Sequence, residues 1–193
     1  MPTSKPRPVR ADAARNRRRL LDIAEAVLAE HGIAVSIDEV ARRAGLGIGT
    51  LYRHFPTKEA LFEAIVVDRI ERATAHAHGL EAAADTGAAF FGFLEHLVAE
   101  GARKRDFVDA LGGLSANLMA RTEQTKQQFR RAVTALLARA QAAGAVRDDV
   151  TTGDVVALVR GVLAGADASP RERARHLAIV CDGLRHRSRP KPR

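Results

Sequence analysis

Apolar residues recur at three- and four-residue steps along most of this 193-residue chain, and nowhere do they alternate for long. Leu20, Ile23, Ala24, Val27 and Leu28 make one stripe on a helix expected from about Ala13 to His31, which Gly32 stops. Leu61, Phe62, Ile65, Val66, Ile70 and Ala73 place another helix from about Lys58 to Ala77, ended by Gly79. From Asp85 onward the same period continues. Phe90, Phe91, Phe93, Leu94, Leu97 and Val98 mark a helix over Ala88 to Gly101. Another, Arg103 to about Ala120, is interrupted by Gly112 and Gly113, and a long amphipathic one over Arg121 to Ala143 closes at Gly144. Two more are expected over Thr152 to Ala166 and Pro170 to Arg185, the second with Ser169 as cap and proline at its first position. The pattern predicts an all-α fold: a three-helix head followed by a helical bundle, about nine helices in all.

The stretch SIDEVARRAGLGIGTLYRHFPTK, Ser36 to Lys58, is denser in signals than any other. Ser36 and Glu39 have the spacing of a capping box, and Val35 with Val40 that of a hydrophobic staple. Gly45 can take the left-handed conformation that ends a helix. A second short helix follows, about Ile48 to His54, with Leu51 and Phe55 facing inward. Pro56 breaks it, and Thr57 can cap the next. Helix, glycine turn, helix is the layout in which a second helix enters the DNA major groove. From Arg42 to Lys58 the charged side chains are Arg42, Arg43, Arg53 and Lys58, with no acid among them.

The words GLGIGTLYRHFPTKEAL, Gly45 to Leu61, resemble the signature of the tetracycline-repressor (TetR) family of bacterial regulators. The resemblance covers roughly Arg15 to Ala73 and rests on TLYRHF followed by proline, a capping residue, Lys and Glu. It implies that Thr50, Tyr52 and His54 approach phosphates or base edges and that Lys58 approaches the backbone. Arg53 is the candidate for reading guanine bidentately, or equally a phosphate clamp. Tyr52 is either a contact or half core with its hydroxyl outward. Arg17, beside Arg15, Arg18 and Arg19 at the start of the first helix, would lie near a phosphate strand or form an ordinary solvated end. Ser36 can combine capping with a phosphate contact. Gly47, Ile48 and Gly49 depart from the usual pattern: Ile48 can touch a thymine methyl, and glycines let backbone approach DNA closely. Asp38, where some relatives carry a base, reads as structural.

The net charge of +8 is uneven. Residues 1–19 carry seven Lys or Arg against Asp12 alone, a net +6, and residues 185–193 carry +5, which leaves −3 between them. Basic ends favour phosphate contact through counterion release, or are simply solvated tails, the reading preferred for the C-terminal one. The expected division is a disordered arm over 1–11, a DNA-binding head over 12–57, a ligand-binding and dimerisation region over 58–185 with a connecting helix at 58–78, and a disordered tail over 186–193. The single Cys181, the absence of a long apolar run and the lack of an apolar leader favour a cytoplasmic protein away from membranes.

No word in the bundle names a reaction: G-x-S-x-G, H-E-x-x-H and a phosphate-cradling loop are all absent, so no catalytic residue and no cofactor is expected. His76 and His78, two residues apart, do not share a helix face and argue against a metal site. Phe90, Phe93, Phe107, Leu111, Leu114, Met119 and Phe129 are either ordinary core or, in part, the lining of a pocket for a small apolar effector. Leu158, Val162, Gly165, Leu177, Val180 and Leu184 are either intramolecular core or the face on which a second copy packs, and the family resemblance implies a two-fold four-helix interface there. Layout and resemblance together point to a homodimeric repressor of a palindromic operator, opposed by an effector. A general or architectural DNA binder, or a helical enzyme, are the alternatives.

Overall fold

A computed structural model describes residues 9–32, 35–43, 45–103, 122–165 and 169–186. Among them are eight helices: α1 (Val9–His31), α2 (Ile37–Arg43), α3 (Ile48–His54), α4 (Lys58–Gly79), α5 (Thr86–Arg103), α6 (Glu123–Ala142), α7 (Thr152–Ala164) and α8 (Pro170–Leu184). The described residues contain no strand, only an isolated antiparallel bridge between Val146 and Arg185. The first helix begins at Val9, inside the segment expected to be a disordered arm. The helix expected over Arg103 to Ala120 lies almost wholly outside the described residues.

The chain divides into two compact units, and the boundary falls inside α4 between Arg69 and Ile70. The first unit holds α1, α2, α3 and the start of α4. Its core is Leu20, Leu21, Ala24, Val27 and Leu28 from α1 and Ile37, Val40 and Ala41 from α2. Leu51 and Phe55 join it from α3, and Leu61, Phe62, Ala64 and Ile65 from α4. Leu21 is inside and Ile23 only half-buried, so the α1 stripe is turned slightly from the one expected. Compactness therefore extends past residue 57, because the first turns of α4 close the bottom of this core. Two charge pairs tie α1 to α4 here: Arg18 to Asp68 at 3.5 Å and Arg69 to Glu25 at 3.3 Å, both carboxylates being buried.

The second unit packs α5 against α6, α7 and α8, with α7 also against α6 and α8. Phe90, Phe93, Leu94, Val133, Leu136, Val155 and Leu177 are among its buried residues. A Cβ placed on Gly87 would lie 2.7 Å from the Ala145 Cβ, and one on Gly101 would lie 2.7 Å from Leu163 Cδ1. Close approach is thus made at these glycines of α5, whereas a Cβ on Gly161 would meet nothing within 4 Å. Capping boxes open α7 (Thr151 with Asp154) and α8 (Ser169 with Glu172, Pro170 following). Gly144, at φ +69°, lets the chain turn after α6, and the Gln141 side-chain amide donates to the carbonyls of Arg147 and Val150 at 3.0 Å each. Arg185, counted with the basic tail in the sequence, is docked instead: its guanidinium lies 4.4 Å from the centre of the Phe91 ring.

Candidate nucleic-acid interface and bundle cavity

The reading element is built as its sequence dictates. Ser36 Oγ accepts the Glu39 amide at 3.2 Å, which is half of a capping box. The other half is missing, because the Glu39 carboxylate turns forward along α2 to take Arg42 and Arg43 at 2.5 Å. These two guanidinium partners, Arg42 foremost, hold the Glu39 carboxyl down at about 2. Arg43 also shares a 2.6 Å contact with the His31 ring. Gly45, at φ +64°, makes the turn that no β-branched residue could make there, and the Leu46 amide donates back to Ala41 at 2.9 Å. Leu51 and Phe55 then anchor α3 in the core, at 0% and 1% exposure.

Anchoring those two residues decides what α3 presents. Ile48 is 49% and Tyr52 41% exposed, Gly49, Arg53 and His54 are exposed, and Thr50 is half-buried. Arg53 leans toward the start of its own helix, as long helical side chains do. Its Nε donates to the Gly49 carbonyl at 3.0 Å, and its guanidinium lies 3.5 Å from Thr50 Oγ1. Neither Gly47 nor Gly49 has a neighbour that crowds a side chain, so the leading end of α3 can meet a surface backbone-first. Arg17 sits 5.4 Å over the Phe55 ring and Lys58 5.8 Å over the Phe62 ring, so both stems lie on core aromatics with their charges outward. Thr57 caps α4 by accepting the Ala60 amide at 3.1 Å.

One partnership was not foreseen. The Asp38 carboxylate stands beside the Tyr52 hydroxyl and, with some burial, raises the Tyr52 pKa. Asp38, read from the sequence as structural, faces Tyr52 across the turn. The basic run from Arg42 to Lys58 is accordingly tempered by acids just before it. Glu39 with Arg42 and Arg43 was legible as three- and four-residue spacing, whereas Asp38 with Tyr52, fourteen residues apart, needed the turn geometry.

In the second unit the candidates separate. Phe90 and Phe93 are fully buried in the core of this unit. Phe129 does line a cavity of about 180 Å3, together with Leu97, Val133, Val155, Val159 and Leu163. Phe107, Leu111, Leu114 and Met119 lie outside the described residues. Of the interface candidates, Val162, Leu177 and Leu184 are buried in the unit's own core. Gly165 and Val180 are half-buried, and Leu158 stays exposed at 39%, joined by Ile179 at 62%. His76 lies against His96, ring centres 4.1 Å apart, and stacks on Phe93 at 5.9 Å, while His78 pairs with Glu81 at 2.6 Å. The described residues offer no group of three His, Cys, Asp or Glu able to hold a metal. No described helix is long and apolar enough to cross a membrane.

Comparison with known proteins places both units. The family profile described as "Bacterial regulatory proteins, tetR family" matches residues 20–65. A second, described as "Transcriptional regulator SbtR-like, C-terminal domain", matches residues 85–186. The crystal structure of a TetR transcription regulatory protein from Mycobacterium vanbaalenii is similar at 42% identity and a TM-score of 0.72, covering 92% of this chain and 99% of that one. A TetR transcriptional regulator from Streptomyces coelicolor follows at 32% identity and a TM-score of 0.71, covering 89% and 99%. An HTH-type transcriptional regulator of Staphylococcus aureus is 43% identical over 54 residues, 28% of this chain and 29% of the relative's length. The fold alone is shared with FadR from Bacillus subtilis, solved in complex with stearoyl-CoA, at 12% identity, a TM-score of 0.68 and coverage of 87% and 99%.

Proposed function

Since this chain belongs to the TetR family of bacterial regulators, we propose that it binds a palindromic DNA operator as a homodimer and represses transcription there until a small molecule in the second unit releases it. The observation that carries the DNA half is the outward edge of α3, Ile48 to His54, fixed from behind by Leu51 and Phe55. A single seven-residue helix reads few base pairs, and two copies on half-sites about 34–36 Å apart multiply that specificity. In this reading Arg53 contacts a base edge, Tyr52 and His54 the groove wall, and Arg17, Ser36, Thr50 and Lys58 the phosphates. Effector release would act through α4, whose residues are shared between the two units, so that effector and DNA weaken each other reciprocally. A fold-mate that holds an acyl-CoA supports the idea that this bundle architecture admits organic ligands.

The test uses a duplex selected from a random library by the full chain. Arg53→Ala should relax base preference at one position per half-site, a loss of about 1–3 kcal/mol of discrimination. Lys58→Ala should weaken all duplexes alike and lower the slope of log affinity against log salt by about one. Unchanged binding in both would remove these assignments. Binding that selects no sequence at all, and vanishes against bulk DNA at rising salt, would instead favour a general DNA binder.

A further inference from the structure

The cavity beside Phe129 has an asymmetry that its apolar lining does not require. Three cationic side chains line it, Lys126 and Arg130 from α6 and Arg160 from α7. The two arginines, with Val156, also line an adjoining recess that contains the Thr134 and Thr152 hydroxyls, themselves 2.7 Å apart. No acid lines either space. Among the described residues no carboxylate engages Arg130 or Arg160, although the chain between its basic ends is net −3. The two spaces together join an apolar lining to cationic side chains and hydroxyls.

We infer that this site takes a small aromatic carboxylate, its ring in the cavity of about 180 Å3 and its carboxylate on Arg130 and Arg160. The proposal rests on the reading of the second unit as effector-binding and specifies the ligand's chemistry. Size argues for one ring, since an apolar cavity of about 150 Å3 takes up benzene. The charge argues for a carboxylate, because the planar guanidinium fork matches two carboxylate oxygens and such bonds are stronger than neutral ones. Val156 and Arg160 lie on the flank of α7 opposite Leu158 and Gly161, so occupancy of the site leaves the exposed apolar flank available.

Benzoate and the neutral, similarly sized benzyl alcohol are the probes, titrated calorimetrically into the full chain. Benzoate should bind at least tenfold more tightly than benzyl alcohol. Replacing both guanidiniums, as Arg130→Gln with Arg160→Gln, should weaken benzoate binding by about tenfold, with Lys126 still in place, while leaving benzyl alcohol binding and the helical circular dichroism unchanged. Both arginines are exposed, so the variant keeps its core. Equal binding of the two probes, undiminished benzoate binding by the variant, or no binding of either probe would each overturn the inference. Release of the selected duplex is measured in parallel. Release by some other compound, with no benzoate bound, would sink this inference and spare the effector reading. Benzoate bound without any change in DNA affinity would sink the effector reading and leave the site standing.

Discussion

Tyr52 and His76 show how far single side chains depend on neighbours distant in sequence. Tyr52 reaches the solvent edge of α3, with the Asp38 carboxylate beside its hydroxyl. Tyr52→Phe should leave stability within about 1 kcal/mol and yet weaken duplex binding by removing a hydroxyl that can donate to phosphate. Asp38→Asn should do the reverse, strengthening binding as salt is lowered; filter binding over a salt series reads both. His76 is half-buried against Phe93 and His96, and burial first, then the neighbouring imidazole, pushes its pKa below the ordinary value of 6.5. The unfolded chain therefore takes up this proton before the folded one does. Stability is full above pH 6.5, falls as pH drops toward the lower folded value, and levels below it. Urea midpoints at pH 8 down to 5 should show this slope, and His76→Phe should flatten it. The sequence displayed His76 and His78 as neighbours, but the ring that matters to His76 is His96 on another helix, a pairing that helical period alone does not reveal.

At the scale of elements, α3 is a seven-residue helix with no side-chain cap at Gly47 and a further glycine in its first turn. Such a helix is too short to hold itself in water, and its shape comes from Leu51 and Phe55 in the core. Leu51→Ala should cost about 2–5 kcal/mol by chemical denaturation. Gly49→Ala should act oppositely, because the position is open and helical: about 1 kcal/mol more stable in the same measurement, with weaker operator binding if backbone must approach the DNA there. The helices were legible from period, caps and glycines, and most ends fell within two residues of those expected. The first helix differed most, since its extension to Val9 crosses a charged stretch with no apolar stripe to announce it. The Ser36 box was half right. Glu39 had two arginines within reach on its own helix, and charge-assisted bonds outcompete a single bond to a backbone amide.

For the whole molecule, the proposed homodimer needs a surface that a second copy can cover. Among the described residues of the second unit, Leu158 on α7 and Ile179 on α8 are the exposed large apolar ones, and a stable pair must bury roughly 1,200–2,000 Å2 in total. Leu158→Glu with Ile179→Glu should give a folded monomer by analytical ultracentrifugation, with operator affinity falling by more than tenfold because one head loses its partner half-site. Much was written in the chain itself: the all-helical fold, the two-part layout, the glycine turn at Gly45, and which residues of α3 point out. These depend on spacing along one helix or across one turn, where sequence distance and spatial distance are nearly the same. The tertiary structure alone decided that Val162, Leu177 and Leu184 belong to the chain's own core, that Asp38 stands beside Tyr52, and that Arg130 and Arg160 line one cavity. Each of these depends on how a helix is rotated against a neighbour far away in the chain, and an apolar stripe looks the same from either side until packing chooses which side is covered.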